Sequence, residues 1–181
     1  MPSNVAAIMA DILVVLDESH SMTEEIISIP SIFQDLEQKL NETGVGPNTY
    51  GLVSFGNFNT GSAPVVRLSS GSISDLKSAI EALVPSGGDL EDGYEAIDKG
   101  LQEFSFRNDT ARFVVLITDE ERNVRNAAIT KATVIDKLTE KDCKLNVIAD
   151  ATFTNGAVGV KFDGTGFFND GNGNVIEQDG Q

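Results

Sequence analysis

Three oxygen-bearing side chains, Asp17, Ser19 and Ser21, stand at every second position in LVVLDESHSM, Leu13 to Met22. Five apolar residues lead into them from Ile12, which marks the run as a buried strand ending in a polar loop. If the backbone stays extended past Asp17, these alternate side chains project to one side. A second apolar run, FVVLIT, ends in the same manner at Asp119. In a parallel sheet both carboxylates reach the same edge, where open α/β folds bind ligands. Two hydroxyls and two carboxylates without thiolate or imidazole form a hard-cation set, suited to Mg²⁺, Ca²⁺ or Mn²⁺ rather than zinc or copper.

The elements that would carry these groups are read from periodicity. Strand-like runs occur at Ile12–Leu16, Tyr50–Phe55, Val65–Leu68, Phe113–Ile117 and Leu145–Ala149. Helical stripes lie between them: Ile32, Phe33, Leu36 and Leu40, with Pro30 as a kink or a fresh start; Ile73, Leu76, Ile80 and Leu83; Tyr94, Ile97, Leu101 and Phe104; Ala128, Ala132, Ile135 and Leu138. Ser72 and Asp75 have the spacing of a capping box. Strands that are apolar throughout, alternating with helices, predict a doubly wound, Rossmann-like α/β fold with helices on both faces of a mostly parallel sheet. The link from Phe55 to Val65 is too short for a parallel crossover and rich in Gly and Asn. Those two strands therefore form a hairpin, and one edge strand runs antiparallel.

The chain, 181 residues with 40% hydrophobic content, fits a single domain: a core over about 10–152 and a Gly- and Asn-rich segment, 153–181, of short strands and turns. With 28 acidic against 13 basic residues, the formal charge is −15. Such a field repels nucleic acid and anionic lipid and draws cations, although most of these charges serve as an ordinary solubilising surface. No apolar run has the length of a membrane span, and no signal peptide is visible at the start. The lone Cys143 excludes an internal disulfide and a cysteine-based zinc cluster, and reads as an inert, buried thiol.

DESHS resembles the Asp-x-Ser-x-Ser signature of von Willebrand factor A domains, which opens their metal-ion-dependent adhesion site. SGGDLEDGYEAI is similar to the family's second metal loop, and FVVLITDEE to the strand bearing the third. The resemblance covers roughly residues 10 to 152. It implies that Ser19 and Ser21 give hydroxyl oxygens directly to a Mg²⁺ (or Ca²⁺ or Mn²⁺), while Asp17 and Asp119 act through bound water. The family's second loop usually supplies Thr three places after a Gly-Gly pair; here Gly87-Gly88 puts Glu91 there, with Asp89 the runner-up and Asp92 third. His20 and Asn57 are expected at the ligand-facing rim; a solvated loop position is the plainer reading of His20. Ser21, with Glu24 three residues on, also reads as a helix cap.

The function implied is a non-enzymatic adhesion or ligand-binding module of a secreted or cell-surface multidomain protein, coordinating an acidic group of a protein or glycan. Two sequons, at Asn41 and Asn108, suit a secretory route. The alternative is an intracellular subunit, of chelatase or transport type, that docks a partner through the metal, so a cytoplasmic location stays open. An aspartyl-phosphate phosphotransferase is the enzymatic rival. It is disfavoured because Ser19 stands where such enzymes place a second Asp, and no general base can be assembled. Asp170, Asn172 and Asn174 fall on calcium-loop positions, but Val175 and Gln181 break the pattern, and an Asn-Gly turn between short strands explains them better. The family's closing strand and helix are not visible after Phe153.

Overall fold

A computed structural model describes residues 8–88 and 90–149, together with the strands Gly166–Asn169 and Val175–Gln178. In chain order the elements are β1 (Ala10–Asp17), α1 (Thr23–Glu42), β2 (Thr49–Phe55), a short 3₁₀ turn (Phe58–Thr60), β3 (Val65–Gly71), α2 (Ile73–Glu81), α3 (Gly93–Glu103), β4 (Ala111–Thr118), α4 (Lys131–Glu140), β5 (Cys143–Ala149), β6 (Gly166–Asn169) and β7 (Val175–Gln178). The main sheet has the order β3-β2-β1-β4-β5. β1 pairs in parallel with β2 and β4, β4 with β5, and β3 lies antiparallel on β2. The expected mixed α/β sheet with one antiparallel edge is the observed one. β6 and β7 form a separate antiparallel pair bracketing residues 170–174. The turn expected there, and the missing closing helix after Phe153, fall outside the described residues.

β1 is buried along its whole length because it is the central strand, covered on both faces. Its alternation sorts the core: Ile12, Val14 and Leu16 pack with Met22 just before α1, Ile26 and Phe33 of α1, and Leu76 and Ile80 of α2. Leu13 and Val15 pack with Ile97 and Leu101 of α3 and Val134 and Leu138 of α4. Both faces are thus closed by helices, as a continuous apolar strand requires.

Two stripes are placed differently from the sequence expectation. α1 starts at Thr23 and runs through Pro30, whose ring joins Ile26, Ile29 and Phe33 on the buried face. Ile32 and Leu36 are 55% and 37% exposed, so the core repeat begins one and a half turns earlier than the apolar run after Pro30 suggests. In α4 the reciprocal capping box of Thr130 and Thr133 sets the helix start, and Val134 and Leu138 face the core. Ile135 is left 48% exposed. The Ser72–Asp75 capping box is present as read. Cys143 is half-buried rather than fully buried, and burial pushes its thiol up to about 11.

The end of the sheet opposite Asp17 is fastened by a buried charge. Asp11, with no exposed surface, accepts from the Arg107 backbone N–H (2.6 Å), Arg107 Nε (2.7 Å) and the Thr110 hydroxyl (3.1 Å). This ties the loop before β4 to β1 and sets the parallel register of the two central strands. Asp11→Ala leaves three donors without their acceptor, and is expected to cost about 3 kcal/mol. Urea unfolding should show a lower midpoint with an unchanged slope.

Candidate metal centre

The sheet reverses its direction of growth at β1. The chain passes to β2 and β3 on one side, then returns to β4 on the other, so the loops after β1 and β4 part and leave a cleft. Asp17 closes β1 with no exposed surface; its Oδ1 accepts the Ser19 backbone N–H (2.9 Å) and its Oδ2 the Thr118 hydroxyl (2.7 Å). Ser19 and Ser21 bring their hydroxyl oxygens to 2.9 Å, and Ser21 donates to Asp119 Oδ1 at 3.2 Å. Four of the expected residues therefore form one continuous chain of contacts. Ser21 is not a helix cap: the N-cap of α1 is Met22, and no side chain caps it.

The second loop joins at a glycine contact. Gly56, just after β2, has φ of +81°, and a Cβ there would lie 2.7 Å from Asp17 Oδ1, 3.1 Å from Glu91 Cγ and 3.6 Å from Ser19 Cβ. Gly88 presses on the same spot, since its Cβ would fall 1.9 Å from the Gly56 carbonyl oxygen. Only paired glycines let the loops approach this closely. Glu91 is thereby delivered beside Asp17, 4% exposed, and its carbonyl accepts the Asn123 N–H (3.1 Å) from the third loop.

The electrostatics of this cluster are unfavourable as it stands. Burial, the hydrogen bond shared with Glu120, and the charges of Asp17, Glu120 and Asp119 push Glu91 up to about 8. Burial also raises Asp17, against the opposing bonds from Thr118 and Ser19, with Asp119 adding to the rise. Asp119 is raised by burial and by Glu120 and Glu25, while the Ser21 bond opposes the shift. These three carboxyls all lack a cation among the described residues.

The remaining expected residues are placed elsewhere. Asp92 is 1% exposed and caps α3, bonding Arg122 (2.6 and 3.0 Å) and the backbone N–H groups of Glu95, Arg125 and Asn126. Burial would raise it, but Arg122 and these amides hold its carboxyl below the usual range. It is a structural acid and not an available ligand. Asn57, expected at the rim, is 4% exposed, its amide spent on Glu18 and Val84 and its oxygen on Ser86 and Asn59. His20 is exposed, as a rim residue must be. Asp89 lies outside the described residues. Sequence reasoning passed over Thr118 and Glu18. Thr118 had a signal, being the polar terminus of β4 one step past the Leu16–Ile117 pair and so level with Asp17.

As a donor set, Asp17, Ser19, Ser21, Glu91 and Asp119 fit a hard divalent ion: all oxygen, mixed neutral and anionic. Among the described residues no three His, Cys, Asp or Glu side chains form a ready metal cage. Hydrogen bonds join Asp17, Ser19, Ser21 and Asp119, and Glu91 approaches the same place across Gly56.

Comparison with known proteins agrees with this fold. The family model of the von Willebrand factor type A domain matches residues 11–160. The chain belongs to that family. No individual curated protein sequence is similar to it. Among solved structures, proximal thread matrix protein 1 from the mussel byssus aligns with a TM-score of 0.58 at 18% identity, over 78% of this chain and 38% of that one. BatB from Bacteroides thetaiotaomicron gives 0.55 at 18% identity, over 95% and 81%. The SpRpn10 VWA domain gives 0.58 at 14%, over 78% and 75%. At these identities the likeness is one of fold, and the chain spans well under half of the byssus protein's length. Among the described residues of this VWA domain, no helix is long and apolar enough to cross a membrane.

The raised Glu91 has a measurable consequence. Between its ordinary 4.5 and about 8, the folded protein holds a proton that the unfolded chain has released. Folded molecules then bind more protons, so metal-free stability falls as pH rises through that window, and the effect vanishes below it, where both states are protonated. In EDTA, the melting temperature should therefore decline from pH 5 to pH 8.5. Glu91→Gln should flatten the slope and raise stability at the alkaline end; an equal slope in the variant would refute the assignment.

Proposed function

We propose that this VWA domain is a non-enzymatic binding module that holds a divalent cation at the rim of its sheet and uses it to capture a carboxylate of a protein or glycan partner. One observation carries the reading. Of the buried acids Asp11, Asp17, Glu18, Glu91, Asp92 and Asp98, four have a cationic side chain in contact: Arg107, Arg67, Arg122 and Lys137 serve Asp11, Glu18, Asp92 and Asp98. The two without one among the described residues, Asp17 and Glu91, meet each other at Gly56, beside the two serines. A buried carboxyl is kept as an anion only when paired or bound to metal and otherwise takes up a proton, as Glu91 does below about 8 without a cation; two such acids meeting beside the serines support an ion as the missing partner.

In this reading Ser19, Ser21 and Glu91 would hold the ion, with Asp17 and Asp119 supporting them from behind. The bound ion supplies Lewis acidity toward an incoming carboxylate oxygen. Mg²⁺ is the proposed resident, with Ca²⁺ and Mn²⁺ accepted. Ser21, His20 and Asp119 are solvent-accessible and frame the approach. The acidic surface and the two sequons support a secreted or cell-surface setting within a larger protein.

Calorimetric titration at pH 7.5 tests this. Wild type should bind one Mg²⁺ when titrated to millimolar concentration. Asp17→Asn and the double change Ser19→Ala, Ser21→Ala should remove the heat while circular dichroism is retained. No heat from wild type with Mg²⁺, Ca²⁺ or Mn²⁺ ends the proposal.

A further inference from the structure

The residue between the first two signature positions, Glu18, is 1% exposed, although it sits in a loop at the sheet's rim. Its carboxylate is fully engaged. Oε1 accepts from Asn57 Nδ2 (2.9 Å) and the Val84 N–H (3.2 Å), and Oε2 accepts from Arg67 (2.7 Å). Its backbone adds two more ties, N–H to the Phe55 carbonyl (2.7 Å) and carbonyl to the Ser86 N–H (3.3 Å). Next to it, Ser19 forms an isolated bridge with Ser86. Asn57 closes the ring by accepting from the Ser86 hydroxyl (2.6 Å) and donating to the Val84 carbonyl (2.9 Å). Arg67 is itself held by Ser54 Oγ (2.8 Å).

One side chain thus fastens β1, the loop after β2, β3 and the segment leading from α2 to Gly88. That segment is where the second loop takes its aim. Residues 84–86 are fixed to Glu18, and Gly88 then meets Gly56, which sets where Glu91 arrives. The clamp uses a buried anion with its own cation, so it makes no demand on the metal's charge. We infer that Glu18 is a positioning residue: through Asn57, Arg67 and the Val84–Ser86 backbone it fixes the distance between the serine hydroxyls and the Glu91 carboxylate. The inference rests on the metal-binding reading above.

Glu18→Gln keeps the shape and removes the charge. With Mg²⁺ as the probe, it should weaken binding by roughly 10- to 100-fold, the usual cost of losing a residue that orients ligands from behind. Arg67→Gln should do the same, and the double variant should be no worse than the poorer single, because the two act as one unit. Asp11→Asn, which breaks a comparable buried pair at the far end of the sheet, should lower the melting temperature and leave Mg²⁺ affinity within about twofold of wild type. In EDTA, hydrogen exchange at Val84 and Ser86 should accelerate in Glu18→Gln and not in Asp11→Asn.

Unchanged Mg²⁺ affinity together with protected Val84 and Ser86 amides in Glu18→Gln overturns the inference. So does an equal affinity loss in Asp11→Asn, which would mark a general stability effect. If wild type binds no ion, the metal reading fails, and the exchange measurement still decides whether Glu18 holds the loop. Should Glu18→Gln not fold, Arg67→Gln carries the same comparison.

Discussion

The constraint from which the rest follows is the cost of taking carboxylates out of water. This chain buries six of them among its described residues, and it meets that cost in two ways. Asp11, Glu18, Asp92 and Asp98 each recruit an Arg or Lys from a distant element, and each then serves as a fastening between elements. Asp17 and Glu91 instead face each other across Gly56, with the Thr118 hydroxyl on Asp17 and Glu120 on Glu91. Coulomb repulsion between like charges in a partly dry site is far stronger than at an open surface. A fold whose other acids are carefully paired would not retain this pair of unmatched ones by accident of packing alone, and that contrast gives the rim its functional reading.

Topology explains why the unmatched acids sit where they do. The parallel strands β1 and β4 both end at the same edge, so their terminal residues are neighbours, and the change of winding direction opens the space above them. Within that space the backbone does much of the positioning. Gly56 and Gly88 allow two loops to touch, and Met22 takes the N-cap of α1, leaving the Ser21 hydroxyl free to face Asp119.

Much of the fold could be read from the chain itself because its signals are local. Apolar runs, helical spacing and the short Phe55–Val65 link depend on neighbours in sequence, and the sheet with its antiparallel edge follows from them. The signature Asp17, Ser19 and Ser21 was legible for the same reason, and Asp119 by its place at the end of an apolar strand. What could not be read is pairing. Whether an acid next to the signature is a ligand, a surface charge or a clamp depends on where a cation arrives from, and Arg67 reaches Glu18 across 49 positions. Asp92 and Asp119 look equally acidic in sequence; only the fold shows that Arg122 has already claimed the first. The stripes of α1 and α4 were misjudged because Pro30 and the Thr130 cap set helix starts that the apolar residues alone do not reveal.

On the metal-binding reading proposed above, Glu91 would set the balance between keeping an ion and exposing it. A threonine there would leave Asp17 and Asp119 as the charged groups, matching the two charges of the metal and leaving it a strong attractor for a further anion. Glu91 brings the count to three, so the site as a whole stays slightly anionic when filled. On that reading retention of the ion would gain, and the pull on a partner's carboxylate would weaken. Glu120 and Glu25 lie close enough to act on Asp119, and they extend the negative field outward. A partner bearing only acidic groups would meet repulsion over most of its approach. A carboxylate carried beside basic residues would instead gain from the same rim charges that oppose an acidic patch, so on the proposed reading the field would select for mixed-charge surfaces and the metal would supply the point of attachment.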